Sequence, residues 1–251
     1  MIRGITDTVK HLIIINVIMF IGTLTIGNGE FFYQWFALYF PKNELFQPWQ
    51  IITHMFMHGG TTHILFNMFA LWMFGSAVEA QLGSKKFLFI YMSAGFGAVL
   101  FQLGYYYFNY VPLYSELISS GLSSSEIVKM FTTNELIQGV NESQLALLKD
   151  GFPIYNASMV GASGCIMGIL AAFGMMNPEA KLMLIFLPIP IKAKYFIPGI
   201  ILLDVISAVT GQSFFSPSNT AYMAHVGGAL TGFIIMWYWK KNQFNQNRWD
   251  R

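Results

Sequence analysis

The sequence predicts an all-α membrane protein: six membrane-spanning helices, with a helical insertion on the extracytoplasmic side between the third and fourth. Three observations predict it. Hydrophobic residues make up 55% of the 251-residue chain and charged residues only 10%, where a soluble domain carries about 25% charge. Uncharged stretches recur on the scale of the roughly 20 residues that a helix needs to cross a bilayer core. The basic residues also divide unequally between the two sides that six spans would define. The same composition excludes a disordered chain and a coiled coil. A formal net charge of +2, from 14 basic and 12 acidic residues, gives no footprint for nucleic acid. The single Cys165 excludes an intrachain disulfide and a cysteine-rich metal site.

The spans follow in order. Residues 12–29 carry no charge and place the first span at 10–28. Only Arg3 and Lys10 are basic before it, and no small-residue cleavage site follows, so this segment is expected to stay as a span. The uncharged run 45–78 accommodates a surface loop and a second span at 61–82. The third falls at 87–108, the fourth at 157–177 and the sixth at 221–239. The fifth, 194–211, is the weakest, because Asp204 interrupts it. Residues 109–155 depart from the pattern with Glu116, Glu126, Lys129, Glu135, Glu142, Lys149 and Asp150. There Ser123 with Glu126 three residues on, followed by Ile127, Val128, Met130 and Phe131, predicts a capped amphipathic helix. A second helix is expected around 145–148. Residues 1–251 thus form one membrane domain with an outer insertion.

With this topology 11 basic residues lie on the side of the termini and 3 (Lys42, Lys129, Lys149) on the other. Both termini are therefore expected in the cytoplasm. The plain architecture and short tails point to a bacterial inner membrane.

Polar groups inside a bilayer are costly and mark function. Spans two, four and six run from outside to inside. At about 1.5 Å per residue, His63, Asn67, Ser163 and His225 all fall roughly 5–12 Å below the outer surface. His63 and Asn67 are four residues apart and share a helix face. Ser163 stands in Gly161-Ala162-Ser163-Gly164, with Gly168 one turn further on; Gly228 and Gly232 follow His225. Small residues at this spacing let membrane helices approach closely, and a Ser–His hydrogen bond needs that approach. Blander readings compete. A Gly-Ala-Ser-Gly run in a span is usually packing. His54 and His58, four residues apart, could face a zinc ion, but no HExxH is present and no carboxylate lies nearby. Both fall at the membrane edge, where a surface role is equally open. Cys165 reads as a small packing residue, and Glu79 as structural, near the inner end of its span. No metal or other cofactor is expected.

These residues resemble the rhomboid family of intramembrane serine proteases, over about residues 10–240. His58-Gly59-Gly60-Thr61-Thr62-His63-Ile64-Leu65-Phe66-Asn67 resembles its second-span motif. Gly75, Glu79 and Gly83 fit GxxxExxxG, Gly161-Ala162-Ser163-Gly164 resembles GxSG, and Ala224-His225-Val226-Gly227-Gly228 resembles AHxxG. The resemblance implies a six-helix rhomboid bundle. It implies Ser163 as nucleophile, His225 as base, and an oxyanion site of His63, Asn67 and the Ser163 amide. The substrates it implies are transmembrane helices of other proteins, cut where Gly or Pro weakens them. It also casts span five and the loop 211–221, with Phe214, Phe215 and Pro217, as the substrate gate. Ser213, Ser216, Ser218, Asn219 and Thr220 suit a hydrated rim.

There are departures. Gln50 follows Trp49 where the family often has Arg. Met167 stands four residues after Ser163 where many bacterial members have Tyr stacked on the base, so His225 must be oriented differently. No acid is expected to orient it, leaving a Ser–His dyad held by packing. Two other classes stay open: a non-catalytic binder of membrane helices, and a transporter with a proton path through His63, Asn67, His225 and Asp204.

Overall fold

The computed structural model describes residues 4–184, 187–212 and 221–246. The chain opens with α1 (Asp7–Thr25). Helix α2 (Glu30–Phe36), the short strand β1 (Leu38–Tyr39) and α3 (Gln50–Thr53) build the first long loop. Helix α4 (Thr61–Ala70), a π turn at Leu71–Gly75 and α5 (Ser76–Leu82) continue as one span. The long α6 (Ser84–Ser119) precedes two insertion helices, α7 (Ser124–Thr133) and α8 (Glu142–Tyr155). Strand β2 (Ser158–Met159) pairs antiparallel with β1, Leu38 opposite Met159. Then come α9 (Ser163–Met176), a hairpin of β3 (Lys181–Leu184) and β4 (Leu187–Lys192), α10 (Ala193–Thr210) and α11 (Tyr222–Gln246).

Each of the six expected segments holds a helix. By length and composition, Asp7–Thr25, Thr61–Leu82, Ser84–Ser119 and Ala193–Thr210 are long and apolar enough to cross a membrane; Ser163–Met176 is apolar but shorter. The first helix is shifted to Asp7–Thr25 and the sixth runs on to Gln246, past the expected end at 239; two further boundaries differ for identifiable reasons. The fourth helix starts at Ser163 instead of 157, because Ser158–Met159 is committed to the strand pair and Gly161 has φ +128. No helix propagates backwards through that φ, which only glycine adopts readily. The third helix runs on to Ser119, past the expected end at 108. The insertion therefore begins as a continuation of α6.

The insertion folds by its own local rules. Reciprocal caps start both helices: the Ser123 amide donates to Glu126 (2.8 Å), and the Asn141 amide donates to Gln144 (3.0 Å) while the Gln144 amide returns a bond to Asn141 (2.9 Å). Hydrogen bonds from Ser123 hold the Glu126 carboxyl below the usual carboxylate range. Ile127, Met130, Phe131, Leu148 and Tyr155 close with Phe40, Tyr110 and Leu117 into a separate apolar cluster. Asn43 ties this cluster to the first loop by donating to the Tyr155 carbonyl (2.9 Å).

The main core gathers α1, the Thr61–Leu82 span, α6, α9 and α11 around Leu71, Tyr91, Ile169, Ala172 and Ala229. Backbones come closest between α9 and α11. A Cβ on Gly232 would lie 2.6 Å from the Gly168 Cα, and one on Gly228 would lie 2.8 Å from the Gly164 carbonyl carbon. Ala94 and Ala98 of α6 press on Gly168 and Gly164 from the third side. The four-residue spacing of small side chains is thus the contact itself.

At the other end of the bundle, Glu79 secures the start of α1. Its carboxylate accepts from the amides of Thr8 and Val9 (3.1 Å each), from the Ser84 hydroxyl (2.7 Å) and from Thr6. Helix-start amides have no intrahelical acceptor, and a carboxylate there also meets the positive end of the helix dipole. Glu79→Ala will therefore lower stability by at least about 3 kcal/mol, since hydrogen bonds to a charged group are worth about 1.5–3 kcal/mol each and all of these are lost together. An unfolding titration of the detergent-solubilised protein measures this. An unchanged midpoint would remove Glu79 as the anchor of α1.

Candidate active site

The site begins with a turn that forces a helix to start where it does. Gly161, at φ +128, donates its amide to the His54 carbonyl (2.9 Å). Any Cβ there would press on the His63 ring at 2.9 Å. Ala162, buried, then leads into α9, whose first residue is Ser163 and whose first turn closes with Ile166 donating to Ala162 (2.9 Å). The amides of Ser163, Gly164 and Cys165 accordingly lack intrahelical acceptors. Ser163 is thus not six residues inside a helix, as expected, but at its positive end, where developing negative charge is stabilised.

Opposite stands His225, in the first turn of α11. From α6, Gln102 accepts the Ala224 amide (3.1 Å) and pins that turn. The His225 Nε2 lies 2.9 Å from Ser163 Oγ. Its Nδ1 lies 2.9 Å from Asp204 Oδ2 of α10. Asp204 is 1% exposed and His225 9%. The expectation that no acid orients His225 is therefore overturned: a carboxylate from the neighbouring span reaches the far ring nitrogen. Its signal was in the sequence. Asp204 lies six residues before Thr210, the end of α10, or about 9 Å along the axis. That is close to the depth at which the other polar residues fall. A buried carboxylate in a span marks function, but the sequence does not say which neighbour it faces.

The other expected residues fall as follows. His63 lies against Gly161, and its Nδ1 accepts the Gly59 amide (3.4 Å). Asn67, one turn further along α4, is buried, and its amide nitrogen has no hydrogen-bond acceptor. Gly161 shapes the turn before the helix, while Gly164 and Gly228 line the α9–α11 crossing. Glu79 is with α1, away from this cluster.

His54 and His58 are corrected as well. They are not at the surface but 2% and 1% exposed. His54 Nδ1 bonds the Gln50 carbonyl (2.7 Å), and burial holds this ring down at about 4. Burial, helped by the neighbouring His63 ring, holds His58 at about 3. Among the described residues no group of three His, Cys, Asp or Glu side chains could hold a metal ion. Gln50, which stands where the family often has Arg, is fully buried and anchors the first loop. It donates to the carbonyls of Gln34 (3.0 Å) and Leu45 (2.9 Å) and accepts from the amides of Gln47 (3.0 Å) and Tyr39 (3.4 Å). A carboxamide with two donors and two acceptors satisfies four backbone groups without burying charge. Cys165 is buried in the core, and its sulfur faces Gly95. The expected rim and gate residues, Ser213, Phe214, Phe215, Ser216, Pro217, Ser218, Asn219 and Thr220, lie outside the described residues.

Such a cluster offers an activated hydroxyl, a base in contact with it, and unpaired donors at a helix start. A family model described as the Rhomboid domain matches residues 45–242. The chain is 27% identical over 192 residues to "Rhomboid protein 1, mitochondrial" of Saccharomyces cerevisiae, covering 76% of this chain and 42% of that one. It is 30% identical over 184 residues to "Presenilin-associated rhomboid-like protein, mitochondrial" of Mus musculus, covering 73% and 35%. It is 27% identical over 196 residues to "Rhomboid protease AarA" of Providencia stuartii, covering 74% and 54%. The match therefore spans between about a third and just over half the length of these relatives.

Proposed function

We propose, since the chain belongs to the rhomboid family, that it is an intramembrane serine endopeptidase acting on membrane-protein substrates. The observation that carries the reading is the 2.9 Å contact between Ser163 Oγ and His225 Nε2 at the start of α9. His225 accepts the hydroxyl proton as Ser163 attacks the scissile carbonyl. The same ring returns that proton to the leaving amine, and water later releases the acyl group by the reverse sequence. The oxyanion meets the Ser163 amide, the His63 ring and the Asn67 carboxamide, whose buried nitrogen has no other acceptor. One such donor is worth about 3–4 kcal/mol in a serine protease. His63 and Asn67 are one turn apart on one face, so both serve a single oxygen.

Six spans, with both termini on the cytoplasmic side of a bacterial inner membrane, complete the reading; the 11-to-3 distribution of basic residues supports the orientation. The mitochondrial addresses in two relatives' names belong to those proteins. Substrates are transmembrane helices that unwind locally near the outer interface, which Gly and Pro favour. They reach Ser163 past α10, whose outward side chains such as Leu202 and Val209 are bare.

The test is a fluorophosphonate probe with peptide mapping, run beside cleavage of a single-span substrate in liposomes. Labelling at Ser163 and cleavage are expected together. A helix binder or a transporter would show neither, and that result would overturn the protease reading.

A further inference from the structure

We infer that Asp204 is a positioning residue of this site: it takes the Nδ1 proton of His225 in a hydrogen bond and so presents the Nε2 lone pair to Ser163. The inference rests on the reading of Ser163 as nucleophile and deepens it from a dyad to a hydrogen-bonded triad.

Two bonds of equal length carry the argument. Asp204 Oδ2 to His225 Nδ1 is 2.9 Å, and His225 Nε2 to Ser163 Oγ is 2.9 Å. A neutral imidazole has one protonated and one bare nitrogen. An ionised carboxylate only accepts, so the nitrogen facing Asp204 is the one that bears the proton. The nitrogen facing Ser163 is then bare and can receive the hydroxyl proton. With the opposite tautomer, Nδ1 and the carboxylate would oppose two acceptors, and Nε2–H would block proton removal from Ser163.

The placement of Asp204 is costly without such a role. It is 1% exposed, on a span, where removing a carboxylate from water costs several kcal/mol. His225 also lacks the support that a ring one turn after Ser163 would give, because that position is Met167. His225 faces Ser163 from α9, Asp204 from α10 and His63 from α4. Toward α6 its helix neighbours Ala224 and Gly227 meet uncharged Gln102 and Phe101. Asp204 is thus the one carboxylate among the described groups facing the ring.

The step balances. The bond from Ser163 Oγ to the carbonyl carbon forms as the hydroxyl proton moves to Nε2. The imidazolium keeps its Nδ1–H on the Asp204 carboxylate, which stays ionised throughout. As the C–N bond breaks, the Nε2 proton goes to the leaving nitrogen.

Three variants of the full chain in liposomes, Asp204→Asn, Asp204→Leu and Asp204→Glu, test this with an ¹⁵N spectrum of the histidines. Asp204→Asn and Asp204→Leu are expected to lose about 10²- to 10⁴-fold in kcat with KM within twofold. Asp204→Glu should recover at least tenfold of that loss. The wild-type spectrum should show His225 protonated at Nδ1. Asn and Leu variants within threefold of wild-type kcat, or a wild-type proton on Nε2, would overturn the inference. If the variants fail to fold, the wild-type spectrum still decides. A wild type that neither labels nor cleaves would sink the protease reading instead, and the spectrum would judge Asp204 separately.

Discussion

Ser163→Ala will leave the protein folded and reduce substrate cleavage by about 10⁵- to 10⁶-fold, the scale seen when a serine protease loses its nucleophile. The two halves of this result rest on different parts of the structure. Removing one oxygen deletes the attacking atom and the bond to His225, but not the fold of α9, which is set by Gly161 and the Ala162–Ile166 bond. The lost hydrogen bond is worth about 1 kcal/mol. His225 keeps Asp204 as partner, so no polar ring is stranded. Cleavage of a single-span substrate and an unfolding midpoint measure the two halves, and fluorophosphonate labelling should be lost with the oxygen. Residual cleavage within tenfold of wild type, in a preparation free of other proteases, would exclude Ser163 as nucleophile. A loss of cleavage with a collapsed midpoint would instead show that the hydroxyl holds the helix start.

What the sequence discloses depends on how local each determinant is. The bounds of the second helical segment, Thr61–Leu82, were legible to the residue, because its apolar run and its motif are contiguous. The cap of α7 was legible because Ser123 and Glu126 are three residues apart. The pairing of Ser163 with His225 was legible only jointly, from small residues repeating around each on two separate helices. Long-range choices were hidden. Nothing near residue 158 announces that Ser158–Met159 will pair with Leu38–Tyr39 and delay α9 to Ser163. Gln50 looked like a missing charge, and its four hydrogen bonds emerge only once the first loop is folded around it. Asp204 looked like a flaw in a weak span. The flaw and the missing support for His225 are two halves of one contact between α10 and α11. Each half alone reads as a departure from pattern; together they explain each other.

That dependence of chemistry on helix approach gives the second large effect. Gly228→Val will cost both stability and at least 10²-fold in cleavage. A Cβ at Gly228 would stand 2.8 Å from the carbonyl carbon and 3.2 Å from the Cα of Gly164. Both neighbours are backbone, so no side chain can rotate away, and α9 and α11 must part. Overpacking a core ordinarily costs about 1–3 kcal/mol; with backbone on the receiving side the upper end applies. The Ser163–His225 contact spans the same seam, since Ser163 adjoins Gly164 and His225 lies three residues before Gly228. A shift of about 1 Å there carries a 2.9 Å hydrogen bond past the range in which it holds, and misplacement on that scale costs about 10²-fold. Gly228→Ala, with the same first atom but no branch, should fall between wild type and Gly228→Val. Gly199 on α10 serves as the control, because a Cβ there meets nothing within 4 Å. Gly199→Ala should keep full activity and gain up to about 1 kcal/mol of helix stability. Cleavage rates and unfolding midpoints of the three variants decide the matter. If Gly228→Val cleaves within twofold of wild type at an unchanged midpoint, then helix approach at this seam does not set the Ser163–His225 distance.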